Sequence, residues 1–154
     1  MQCILIPLDG SALAEAVIPT ALELARDLDA HIVLVNVVTP TPAAWGAASP
    51  GWGPVGTWDV PMTPLTEQTR AAEEYLASVK QQTGLPEDRV RTDAHVGTLP
   101  RGILEAVHKH GADLIAMSTH GRGGLGRLVM GSVTDMVIRL AEVPVLVVRP
   151  PVTG

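Results

Sequence analysis

"STHGRGGLGRLVMGS", residues 118–132, is a glycine-dense run between an apolar strand-like segment and a helix-like one. Several kinds of phosphate loop share its outward features, and each would build a different fold around it. Read literally, GRGGLG at 121–126 spells GxGxxG, the dinucleotide fingerprint. That fingerprint works where a strand leads through the glycines straight into a helix, with an acid about twenty positions on, at the end of the next strand, for the ribose. Here the helical pattern begins only at Ser132, and Glu142 precedes the next strand instead of ending it. The ATPase phosphate loop fails more clearly. Arg127 and Leu128 stand where Lys and Ser or Thr are required. A protein-kinase glycine loop lacks its companions, since the chain has no lysine strand and no HRD or DFG signature.

What remains specific is the end of the run. GSVTD, residues 131–135, opens a helix: Gly131 allows close backbone approach, Ser132 is placed as an N-cap, and the amides of Ser132, Val133 and Thr134 point out of the helix N-terminus. Aligned donors and the helix dipole bind anions there. The bland alternative is that Ser132 and Asp135 merely form a capping box. Local features leave both readings open.

Outward from this run, apolar patterning divides the chain. QCILIPL at 2–8 is a strand closed by Asp9, Gly10 and Ser11, which is turn and N-cap chemistry. Leu13, Val17, Ala21, Leu24 and Leu28 recur at helical spacing, and Pro19 should bend that helix because it cannot donate to the Glu15 carbonyl. HIVLVNVV at 31–38 is nearly continuously apolar, as in a strand covered on both faces. A Pro- and Gly-rich loop at about 39–64 carries Trp45, Trp52 and Trp58; a loop this long is read as a surface loop pinned by its tryptophans, or as a lid over a ligand or a partner-docking element. A helix follows from about 65 to 83, with Leu65, Ala72, Leu76 and Val79 inward, then a strand near an edge at 89–96. Thr98 is expected to cap the next helix, with Pro100 in its first turn and Gly111 ending it. DLIAMS at 113–118 is the fourth strand, a helix runs from Ser132 to about Ala141, and VPVLVVR is the last strand.

This βαβαβαβαβ alternation predicts an α/β fold, a single-domain, open five-stranded parallel sheet with helices on both faces. With order 3-2-1-4-5 the strand order reverses between the first and fourth strands, so Asp9 and the 118–131 loop face one crevice.

Composition narrows the function. The 154 residues suit one domain, 1–154, and a formal charge of −5 with scattered Lys and Arg offers no basic stripe for nucleic acid. The longest apolar runs fall short of a membrane span, and the N-terminus shows no export pattern, so a cytoplasmic protein is expected. Cys3, the only cysteine, is expected as a buried thiol. His108 and His110 are two apart near a helix end, where they suit the C-terminal dipole better than a metal.

With these residues in view, the chain resembles the universal stress protein family, one branch of which binds ATP. The likeness runs through ILIPLDGS, LARDLDAHIVLVNVV, ILEAVHKHGADLIAMSTHGRGGLGRLVMGSVTDMVI and VPVLVVR. The family motif is GxxG, nine residues, then G and S or T; Gly121, residues 122–130, Gly131 and Ser132 fit it, with Ser118 in place of the first glycine. The resemblance implies ATP as ligand, with or without Mg2+. It places Pro7, Leu8 and Asp9 by the adenosine, the backbone near Val37 by the adenine, and Met117, Ser118, Gly121 and Arg122 along the ribose and phosphate side. Gly131, Ser132, Val133 and Thr134 would hold the phosphates. It also implies a homodimer paired through the last strand, Val143 to Val148.

The expected function is therefore adenine-nucleotide binding in a stress response, with occupancy modulating the dimer. No base to position water stands out, so turnover is at most slow. The competing expectation is a dimeric interaction protein of the same fold that works without nucleotide.

Overall fold

Neighbouring residues of the first strand point to opposite faces, and both faces are apolar. In the computed structural model, which describes residues 2–40, 63–119 and 131–150, β1 (Cys3–Pro7) sends Ile4 and Ile6 to one face and Leu5 to the other. All three are fully buried. Each such side chain contributes about 1.5–3 kcal/mol on leaving water, so the central strand anchors two cores at once. β2 (His31–Val38), β3 (Val90–Val96), β4 (Leu114–Ser118) and β5 (Val145–Val148) complete one sheet of order β3-β2-β1-β4-β5, parallel at every pairing. This is the predicted topology.

The helices cover both faces. α2 (Ile18–Asp27) and α3 (Leu65–Gln82) supply Ala21, Leu22, Ala25, Leu76 and Val79 to the core that holds Ile4 and Ile6. α4 (Arg101–His110) and α5 (Ser132–Leu140) supply Ile103, Ala106, Val107 and Val137 to the core around Leu5, Val33 and Ile115. Gly111 ends α4 in the left-handed region at φ 61°, as its position suggested.

Several expectations need correction. Pro19 does not bend one helix; it divides the segment into α1 (Ala12–Glu15) and α2, where it occupies the first turn and its missing N–H costs nothing. Leu28 and Leu65 are exposed, because the helical stripe turns away from the sheet at those ends. Cys3 is only half-buried; burial, and then the Asp113 carboxylate, push its thiol pKa upward. Thr98 makes no side-chain cap on α4, although its carbonyl accepts from Gly102 N–H at 2.7 Å. A 3₁₀ turn, Glu87–Arg89, precedes β3.

One ionic cluster ties α4 to the edge strand. Asp93, on β3, is buried. Lys109 Nζ reaches both its oxygens at 3.0 Å, and His110 Nε2 lies 2.7 Å from Oδ2. Burial would raise its pKa, but hydrogen bonds from His110 and Lys109 outweigh that and hold it below the usual carboxylate range. His110 thus serves a carboxylate across the interface rather than the helix dipole alone, while His108 stays exposed.

Candidate functional site

β1 and β4 are neighbours whose onward chains leave toward different helices, and the gap beyond their carboxyl ends is a cleft of about 370 Å³. That is within the range of about 300–1,000 Å³ usual for small-molecule sites. It brings together Pro7 at the end of β1 with Leu8 and Asp9 just after it, Val37 from β2, Met117 and Ser118 from β4, and Gly131, Ser132, Val133 and Thr134 at the entrance of α5. Gly121 and Arg122, with His120 and Arg127, lie outside the described residues, as does the loop over residues 41–62.

The entrance of α5 differs in detail from its prediction. Gly131, not Ser132, is the N-cap, with φ −58° and ψ 148°, and no side chain caps the helix. The capping box does not form, because Ser132 is not the cap, and the Asp135 carboxylate receives Arg139 Nε at 2.9 Å. The first intrahelical bond runs from Asp135 N–H to the Gly131 carbonyl. The amides of Ser132, Val133 and Thr134 therefore have no acceptor within their helix and lie on the cleft wall. Among the described residues no lysine or arginine lines the cleft, and the polar groups of its α5 wall are backbone amides and the Ser132 and Thr134 hydroxyls.

Asp9 is the carboxylate on that wall. Its Oδ1 accepts from both Ser11 N–H at 2.9 Å and Ser11 Oγ–H at 2.6 Å, while Ser11 Oγ in turn accepts from Ala14 N–H at 3.1 Å. Asp9 is thereby fixed on one oxygen and exposed on the other side. Tyr75 braces the same corner by donating to Glu15 Oε1 at 2.8 Å. Burial, and then Glu15, push its pKa well above the usual phenol range, so it stays a donor.

Ser118, the departure from the glycine motif, is the last residue of β4. Among the described residues the only non-glycine with positive φ is Asp29, so the backbone at 118 does not need the conformation that glycine alone adopts freely. Its hydroxyl donates to the Leu13 carbonyl, linking β4 to α1 at the mouth of the cleft.

Other wall residues went unforeseen: Ser11, Leu13, Ala14, Val35, Asn36, Leu99 and Ile103. The first three follow from the turn after β1, already visible in the sequence as a cap. Leu99 and Ile103 arrive because α4 starts where β3 ends and crosses over β2, a placement that no local spacing announces.

An open parallel sheet with its cleft at the reversal of strand order defines a doubly wound α/β protein whose crevice is the place such sheets offer a ligand. The sequence profile of the universal stress protein family matches residues 1–149, and the chain belongs to that family. It is 32% identical over 148 residues to a universal stress protein of Methanocaldococcus jannaschii, covering 96% of this chain and 82% of the relative. Among solved structures, UspA of Lactobacillus plantarum superposes with TM-score 0.68 at 22% identity, covering 96% of this chain and 97% of its own. A universal stress protein solved in complex with cAMP gives TM-score 0.68 at 18% identity, covering 97% and 98%.

Proposed function

We propose that the cleft binds an adenine nucleotide, ATP being the ligand its family motif fits, and that occupancy modulates a homodimer in a cytoplasmic stress response. One observation carries the reading: a single cleft presents the amides of Ser132, Val133 and Thr134, which have no acceptor within α5, the Asp9 carboxylate and an apolar wall of Val37, Met117, Leu99 and Ile103. Those three surfaces suit a phosphate chain, a ribose with its hydroxyls, and a base. A protein of the same fold that holds cAMP supports the adenine nucleotide as the ligand class.

In this reading Asp9 Oδ2 accepts from the ribose, and the α5 amides bind the phosphates with help from the Ser132 and Thr134 hydroxyls. Gly121 and Arg122 would complete the phosphate side. Among the described residues no group of three or more metal-ligating side chains is found, so Mg2+ would arrive on the phosphates, with Asp9 the carboxylate on the wall. The dimer part of the reading rests on β5: Val145 to Val148 form an apolar edge strand that is only half-buried. Such an edge favours pairing with another strand.

The test is to denature purified protein, identify any released nucleotide, and measure the dimer by light scattering with and without added ATP. Released adenine nucleotide and a dimer that tightens or loosens with ATP are the expected results. A dimer indifferent to ATP, with no nucleotide released and none taken up, would leave the nucleotide-independent interaction protein.

A further inference from the structure

Gly102, the second residue of α4, is buried against the sheet. A Cβ placed there would lie 2.8 Å from Val37 Cγ1, 3.3 Å from Val37 Cγ2 and 3.3 Å from His95 Cδ2. Carbon atoms are comfortable at roughly 3.5–4.0 Å. Val37 has no easy escape, since it is β-branched and both its methyls meet the added atom. His95 is also held: its Nε2 lies 3.3 Å from Glu105 Oε2, Glu105 Oε1 receives Arg101 Nε at 2.8 Å, and its Nδ1 stands 3.7 Å from Asp93 Oδ2. Only glycine lets the first turn of α4 seat this deeply over β2 and β3.

The same turn brings Leu99 and Ile103 to the cleft, where they share the apolar wall with Val37 and Met117. The separation between the β2 side and the α4 side of that wall is therefore set by the contact at Gly102. We propose that Gly102 is a positioning residue that fixes the base-binding part of the cleft and makes it select a purine over a pyrimidine. This rests on the nucleotide reading above; Gly102 acts through Val37, Leu99 and Ile103. A methyl at position 102 must either drive Val37 toward the cleft or lift the first turn of α4 and carry Leu99 and Ile103 away. If Val37 moves in, the slot narrows and a larger base is crowded first; if the turn lifts, a larger base loses more contact with Leu99 and Ile103 than a smaller one that touches less of the wall.

ATP and UTP share ribose and triphosphate, so their affinity ratio reads the base alone. Calorimetric titrations with both nucleotides on wild type, Gly102→Ala, Val37→Ala and the double variant test the proposal. Wild type is expected to prefer ATP. In Gly102→Ala the ATP affinity falls about tenfold, the scale of overpacking a tight contact, and UTP changes less than about threefold. The double variant, lacking both clashing methyls, returns to the ATP affinity of Val37→Ala alone. Alanine is the better helix former, so Gly102→Ala is expected to fold, which a thermal melt checks. An unchanged ATP-to-UTP ratio in Gly102→Ala overturns the proposal, whether both affinities fall equally or neither moves. So does a double variant no better than Gly102→Ala. If wild type binds neither nucleotide, the nucleotide reading fails and takes this one with it; binding by wild type with an unaltered ratio strikes this one alone.

Discussion

Ser118→Gly restores the family's glycine, and the structure predicts that the change weakens the fold without improving the site. The lost interaction is the hydroxyl's bond to the Leu13 carbonyl. That carbonyl also accepts from Ala16 N–H at 3.2 Å, so it is not orphaned by the substitution. The loss is therefore the net value of a hydrogen bond, about 0.5–1.5 kcal/mol, rather than the larger cost of an unsatisfied buried group. Glycine at a strand end adds about 0.5–1 kcal/mol of lost conformational freedom. Together these give about 1–2.5 kcal/mol, or a Tm lower by about 2–10 °C for a domain of this size. Ser118→Ala, which loses the bond without the added freedom, should fall between wild type and the glycine variant. Differential scanning calorimetry reads the stabilities, and an ATP titration of the same samples reads the site. ATP affinity should stay within about twofold, because the backbone at 118 needs no positive φ. A Tm at or above wild type would refute the role of the Ser118–Leu13 link, and a tenfold gain in affinity would show that the site does want glycine there.

Asp93→Asn should destabilise the protein by about 1.5–3 kcal/mol, the value of hydrogen bonds to a charged group. The half-exposed Lys109 can rehydrate, so the cost of a stranded buried charge is not added. Since the folded pKa of Asp93 is depressed, its contribution is fully present above the ordinary value of 3.8 and is lost as the pH falls through the lower folded value. Chemical denaturation should then show a gap between wild type and variant that narrows as the pH falls below about 4. A gap that widens below that pH would count against this account. Asp9→Ala should weaken ATP by at least about tenfold, while inorganic triphosphate, which lacks the ribose, is bound as before; equal loss of both would move Asp9 off the ribose. Val147→Lys, placing a charge on the β5 edge, should shift light scattering from dimer to monomer, and an unchanged mass would remove β5 from the interface.

The sheet was legible because each of its inner strands is buried on both faces: CILIPL, HIVLVNVV and LIAMS read as short continuous apolar runs, and the alternation with helices fixed their parallel sense. The cleft's β1, β4 and α5 walls were legible too, since Asp9, Ser118 and Gly131 sit at strand ends or a helix entrance. What escaped depended on packing between distant segments. Leu99 and Ile103 reach the cleft only because Gly102 seats α4 on Val37, a contact across 65 residues of chain. The Asp93 cluster was similarly invisible, since His110 and Lys109 look like a basic helix end until β3 is laid beneath them. Ser132 and Asp135 spelled a capping box, yet the helix is capped by Gly131, so the amides of Ser132, Val133 and Thr134 fall in its first turn, where no carbonyl of α5 reaches them.

The central claim is that these amides and the wall beside them hold an adenine nucleotide. Its most direct test is a calorimetric titration of nucleotide-free protein with ATP, run beside Gly131→Trp, which places a large side chain at the entrance of α5. Saturable binding by wild type at a single site per chain, weakened at least about tenfold in Gly131→Trp, is the predicted result. No heat of binding in wild type, or the same affinity in both proteins, would contradict it.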